Sequence, residues 1–72
     1  MDKKELFAAR LKDLIDEKEL NLTMVENKTG IPHNTLSNYV NAKRSPQIEQ
    51  LWALSDFFGC TVDYLLGRTK DG

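Results

Sequence analysis

The sequence predicts an all-α domain of five short helices, and three observations carry that expectation. Apolar residues recur at three- and four-residue spacing, with no strand-like alternation and no internal repeat. Glycine and proline punctuate the chain at Gly30, Pro32, Pro46, Gly59 and Gly67, where helices must stop or start. The chain has 72 residues, enough for one domain. A domain so small buries only about 60% of its unfolded surface, and helices joined by short loops close its core most economically.

The first helix is expected over about Lys4 to Glu19, where Phe7, Leu11, Leu14 and Ile15 line one face. The second runs from about Leu22 to Thr29 and ends at Gly30, which accepts the left-handed conformation that closes a helix. Asn21 can cap its start, although Thr23 with Glu26 spells a capping box that would begin it later. The third begins near Pro32 or His33, since proline suits a first turn. Leu36 and Tyr39 then turn inward and leave His33, Asn34, Ser37, Asn38 and Asn41 outward. Ser45 reads as the cap of a fourth helix and Pro46 as its first residue, with Ile48, Leu51, Leu54 and Phe58 as its buried stripe up to Gly59. Thr61 can cap a last helix, Val62 to Leu66, ended by Gly67. Residues 1–67 thus read as the domain, and residues 68–72 as a flexible tail.

Composition narrows the function. One cysteine and one histidine can form neither an internal disulfide nor a structural zinc site, so no metal or cofactor is expected. Cys60 reads as a small packed residue, and Asp13, Asp16 and Glu17 as a solvated helix face. With no nucleophile paired to a base, an enzyme is not expected. The N-terminus lacks the apolar core of a signal peptide, and no run approaches the roughly 20 apolar residues of a membrane span. A soluble, cytoplasmic protein is the expectation. Trp52, Phe57, Phe58 and Tyr64 read as core or dimer-surface residues.

Net charge is only −1, but it is unevenly spread. No acidic residue stands between Glu26 and Glu49, a window that holds Lys28, Lys43 and Arg44. Such a face can approach phosphates while the acid-rich remainder stays solvated. Within that window lies the most informative stretch, Gly30 to Pro46: a tight turn, a short helix with uncharged hydrogen-bonding side chains outward, then a basic loop. Amide and hydroxyl side chains there suit the reading of base edges. So few residues separate the helices on either side of Gly30 that the two must meet at a steep angle, as in a helix-turn-helix.

Three blocks of sequence carry a resemblance. They are Arg10-Leu11-Lys12-Asp13-Leu14, the run from Gly30 to Tyr39, and the run from Asp56 to Arg68. At these separations the chain resembles, over nearly its whole length, the lambda-repressor-like helix-turn-helix domains of phage and bacterial regulators. The resemblance implies a compact five-helix fold whose third helix enters the major groove. It implies base contacts by His33, Asn34, Ser37 and Asn38, and phosphate contacts by Asn41, Lys43 and Arg44. A transcriptional regulator follows, a repressor acting by occupancy, bound as a homodimer to a two-fold symmetric operator in double-stranded DNA.

Three positions depart from the family pattern. Leu22 replaces the usual glutamine at the start of the second helix, and Glu26 replaces a small residue packed against the third. Val40 replaces a glutamate that pairs with the first-helix arginine, so Arg10 is expected to turn to Asp56, Asp63 or a phosphate. Leu22, Glu26 and the near-neutral charge leave a second expectation open: a protein-binding module of the same fold, such as an antitoxin or assembly partner.

Overall fold

The computed structural model describes residues 2–70 and is helical throughout its regular structure. Met1 of the expected domain and Asp71 and Gly72 of the expected tail lie outside the described residues. Helix α1 spans Lys3–Glu17, α2 Leu22–Thr29, α3 His33–Val40, α4 Ile48–Phe58 and α5 Val62–Leu65. The fold is the five-helix arrangement expected from the sequence.

Capping explains where the first two helices begin. The Asp2 carboxylate accepts a hydrogen bond from the Glu5 amide at 2.9 Å and starts α1 one residue earlier than its apolar periodicity suggests. Asn21, and not Thr23, caps α2, because its side chain accepts from the Met24 amide at 2.9 Å. Thr61 caps α5 as expected, accepting from the Tyr64 amide at 3.1 Å.

Helix α1 stops at Glu17, two residues short of the expected end. Glu19 takes a left-handed conformation, φ 55°, and the Leu20 amide folds back to donate to the Ile15 carbonyl at 2.9 Å. That reversal satisfies carbonyls the helix end would otherwise leave open, and it normally employs glycine.

The start of α4 requires a correction. Ser45 does not cap it and Pro46 is not its first residue; Gln47 is the N-cap and Ile48 the first helical residue. Ala42 turns the chain with φ 58°. Proline at 46 then disfavours helical backbone at Ser45, and Gln47 is itself extended at φ −92°, ψ 175°. The helix can nucleate only beyond that extended run. Ile48 consequently stands at the end of the helix, 72% exposed, instead of opening a buried stripe. Leu51 is half-buried, while Leu54 and Phe58 are in the core as expected.

The core draws on every helix: Phe7, Leu11, Leu14 and Ile15 from α1, Val25 from α2, Leu36 and Tyr39 from α3, Leu54 and Phe58 from α4, and Leu65 from α5. Ile31, in the turn before α3, joins them. Phe7 meets Tyr39 edge to face, with ring centroids 5.5 Å apart.

Arg10 finds neither of the carboxylates expected for it, nor is it left facing outward for a phosphate. Its guanidinium Nη1 donates to the Tyr64 carbonyl at 3.0 Å and to the Thr69 carbonyl at 3.2 Å, with the charge 4.0 Å from the Tyr64 ring centre. Asp63 is exposed and faces Arg68 at 3.6 Å, and Asp56 lies exposed on α4. The arginine thus ties the segment after α5 to α1.

Because Glu19 holds a left-handed conformation that costs a side-chain-bearing residue free energy, replacing it with glycine relieves strain. Glu19→Gly is expected to raise unfolding free energy by about 1 kcal/mol, read as a higher urea midpoint at unchanged slope. An unchanged or lower midpoint would show that the reversal is unstrained.

Candidate nucleic-acid interface

The turn between α2 and α3 is built by the four residues from Thr29 to Pro32. Gly30 closes α2 with φ 79°, its amide donating to the Glu26 carbonyl at 2.8 Å. Thr29 reinforces it: its hydroxyl donates to the Val25 carbonyl at 2.7 Å and accepts from the Ile31 amide at 3.2 Å. Ile31 is buried, and Pro32 opens α3 without a side-chain cap. The chain therefore enters α3 already anchored.

That anchor and the burial of Leu36 and Tyr39 set the rotation of α3. His33 and Asn34 are exposed on its first turn, and Ser37 and Asn38 are half-buried one turn later. Among the described residues, none bonds the His33, Asn34 or Asn38 side chains, so their donors and acceptors are unspent. Ser37 differs, since its hydroxyl accepts from the Asn41 side-chain Nδ2 at 3.4 Å. Two residues expected in separate roles are thereby joined at the end of α3.

The loop after α3 follows directly. Asn41 caps the helix through its backbone, Ala42 reverses the chain, and the Lys43 amide returns to the Asn38 carbonyl at 2.8 Å. Lys43 and Arg44 emerge exposed. Lys28, in the last turn of α2, is exposed too, so the acid-free window contributes three solvated cations. Glu26 is half-buried, and among the described residues it takes no ion pair.

Arg44 also borders a polar cleft of about 170 Å³ with Thr35, Tyr39, Ser45, Gln47 and Gln50. The Gln50 Oε1 is buried there without a hydrogen-bond partner among the described residues. Burial raises the Tyr39 phenol above its ordinary 10.0, against an opposing pull from the Arg44 charge. Sequence reasoning missed this cleft because it exists only where the extended run before α4 passes α3. Cys60 is half-buried, and burial raises its thiol above the ordinary 9.0 despite Lys18 and Arg10 nearby, which suits a packing role.

A family model described as helix-turn-helix matches residues 11–65, most of the chain and all of α2, α3, α4 and α5. The chain belongs to the helix-turn-helix family. Among relatives of this family, it is 38% identical over 61 residues to the HTH-type transcriptional regulator AnsR of Bacillus subtilis, covering 85% of this chain and 53% of that protein. It is 31% identical over 65 residues to the cryptic phage CTXphi transcriptional repressor RstR of Vibrio cholerae, covering 90% of this chain and 59% of that protein. The uncharacterized HTH-type transcriptional regulator YobD of Bacillus subtilis is 27% identical over 66 residues, with 92% and 59% covered. The chain thus spans little more than half the length of these relatives. No solved structure matches it. No described helix is long and apolar enough to cross a membrane.

The turn offers a direct test. A Cβ at Gly30 would meet no atom within 4 Å, so any cost of a side chain there is backbone strain alone. Gly30→Ala is expected to lower unfolding free energy by about 1 kcal/mol in a denaturant titration. No loss would mean that the turn adapts and does not fix α3.

Proposed function

We propose that this chain is the double-stranded-DNA-binding domain of a transcriptional regulator, a repressor acting by occupancy, and that α3 reads base edges in the major groove. One observation carries the reading: α3 presents hydrogen-bonding side chains with unspent capacity, together with three exposed cations from a stretch of sequence that holds no acid. The relatives named as transcriptional regulators support it. His33 and Asn34 make base contacts, with Ser37 and Asn38 one turn further in. An asparagine amide can bond adenine through two atoms at once, worth about 1–3 kcal/mol of discrimination.

Asn41, Lys43 and Arg44 contact phosphates, which position the domain without selecting sequence. The Asn41–Ser37 hydrogen bond links the two sets, so a phosphate held at Asn41 would steady Ser37 near the bases. Leu22 cannot bond a phosphate, and one domain has few cations. Binding by a homodimer to two half-sites about 34 Å apart doubles the contacts. The protein then works in the cytoplasm, where its DNA is.

Two substitutions separate the roles. Asn34→Ala is expected to cost about 1–3 kcal/mol on the preferred site and to relax selectivity at one base pair. Lys43→Ala is expected to weaken all duplexes alike and to reduce the slope of log affinity against log salt by about 1. Binding isotherms across a salt series, on matched and single-base-substituted duplexes, read both effects. Equal loss on specific and random DNA for Asn34→Ala would remove it as a base reader.

A further inference from the structure

A buried polar atom without a partner lies beside the loop proposed to hold the DNA backbone. The Oε1 atom of Gln50 is buried and accepts no hydrogen bond among the described residues. A buried acceptor left open costs stability, and native structures keep few of them. Gln50 stands third in α4, where a glutamine commonly bends back to the N-cap amide. Its oxygen makes no such bond, and the residue instead lines the polar cleft of about 170 Å³ between α3 and the start of α4.

The donors around that cleft are not equally free to meet it. Thr35 and Tyr39 belong to α3 and are held by it, the Tyr39 ring being fixed edge to face on Phe7. Arg44 differs. It lies on the loop, exposed, and none of its guanidinium donors is spent on an ion pair or hydrogen bond among the described residues. Its charge nonetheless acts on the Tyr39 phenol, which places the guanidinium at the cleft. Arginine offers donors only, so the oxygen of the glutamine amide is the end that it can meet. The planar fork lets one edge meet a phosphate while another N–H reaches that oxygen.

We infer that Gln50 is a positioning residue for DNA binding: its side-chain oxygen accepts an N–H of Arg44 when the outer edge of that guanidinium meets a phosphate. The inference rests on the proposed reading, in which Arg44 is a phosphate contact, and adds to it a residue that acts without touching DNA. A cleft of this size admits water to the oxygen in the free chain. A duplex seated on the loop closes the mouth, and the arginine N–H takes the water's place.

Such a contact matters because a long exposed side chain loses rotamer freedom when it grips a phosphate. An acceptor fixed in α4 restricts in advance where the guanidinium can sit. It also ties the phosphate contact to α3, whose Thr35 and Tyr39 form the other wall of the cleft. A lysine ammonium keeps the charge but lacks the fork that spans both partners.

Affinity for duplexes across a salt series, and the urea midpoint of the free chain, should be measured for Gln50→Met, Arg44→Lys and the two combined. Methionine nearly matches glutamine in shape and suits a helix, but its sulfur is a weak acceptor. Gln50→Met is expected to weaken binding to all duplexes about tenfold. The salt slope should not change, because Arg44 keeps its charge and its phosphate. The urea midpoint should stay level or rise, since the free chain loses an unpaired buried acceptor. Stability and affinity then move apart, which a residue that merely packs would not produce. Arg44→Lys, at an exposed position that leaves the fold intact, should lose about as much affinity. On the Arg44→Lys background, Gln50→Met should cost nothing further.

An equal loss from Gln50→Met on both backgrounds, no loss at all, or a lower urea midpoint would overturn the inference. Full affinity of Arg44→Lys would overturn it as well. In each of these cases selective duplex binding by the natural chain would leave the reading of α3 standing. No duplex binding by the natural chain at low salt would refute that reading and the inference with it, so the two failures are distinguishable.

Discussion

The burial of Leu36 and Tyr39 beneath α1 is the constraint on which the rest of the molecule depends. A helix of eight residues has little stability alone, and α3 also lacks a side-chain cap. Tertiary contact must hold it. Leu36 is completely buried and Tyr39 meets Phe7 edge to face, while Ile31 pins the approach from the glycine turn. Once those inward positions are fixed, the helical period sends His33, Asn34, Ser37 and Asn38 to the outer side. The hydrogen-bonding edge is a consequence of how the apolar edge is seated.

The same logic orders the surroundings. Arg10, without a carboxylate to meet, binds two backbone carbonyls and one aromatic face at the far end of the chain. That closure holds α5 and the residues after it against α1, the helix on which α3 also rests. Ala42 folds the loop so that Lys43 and Arg44 emerge beside α3. The α4–α5 flank stays apolar and open, the opposite character from the polar edge of α3. Two surfaces of different chemistry thus share a body 27 Å in its longest dimension.

Much of this was legible in the sequence because short-range rules decide it. Phe7, Leu11, Leu14 and Ile15 are buried as their spacing requires, and Gly30, Gly59 and Thr61 end or begin helices through local geometry. The outward edge of α3 followed from Leu36 and Tyr39 by periodicity alone. Features that depend on distant contacts were not legible. Ser45 followed by Pro46 is a sound local start signal, but the chain needs an extended run there to pass from α3 to α4. That displaced the helix start and left Ile48 in solvent. Arg10 likewise offers no local clue, since its acceptors are carbonyls 54 and 59 residues away.

On the proposed reading, the outer edge of α3 selects DNA sequence. Selection from a random duplex pool at low salt, with the His33, Asn34 and Asn38 triple-alanine variant in parallel, tests it most directly. An enriched, two-fold symmetric site is expected for the natural chain and none for the variant, with both folded alike by circular dichroism. Enrichment of the same site by the variant, or no enrichment by the natural chain even when joined as a dimer, would contradict it.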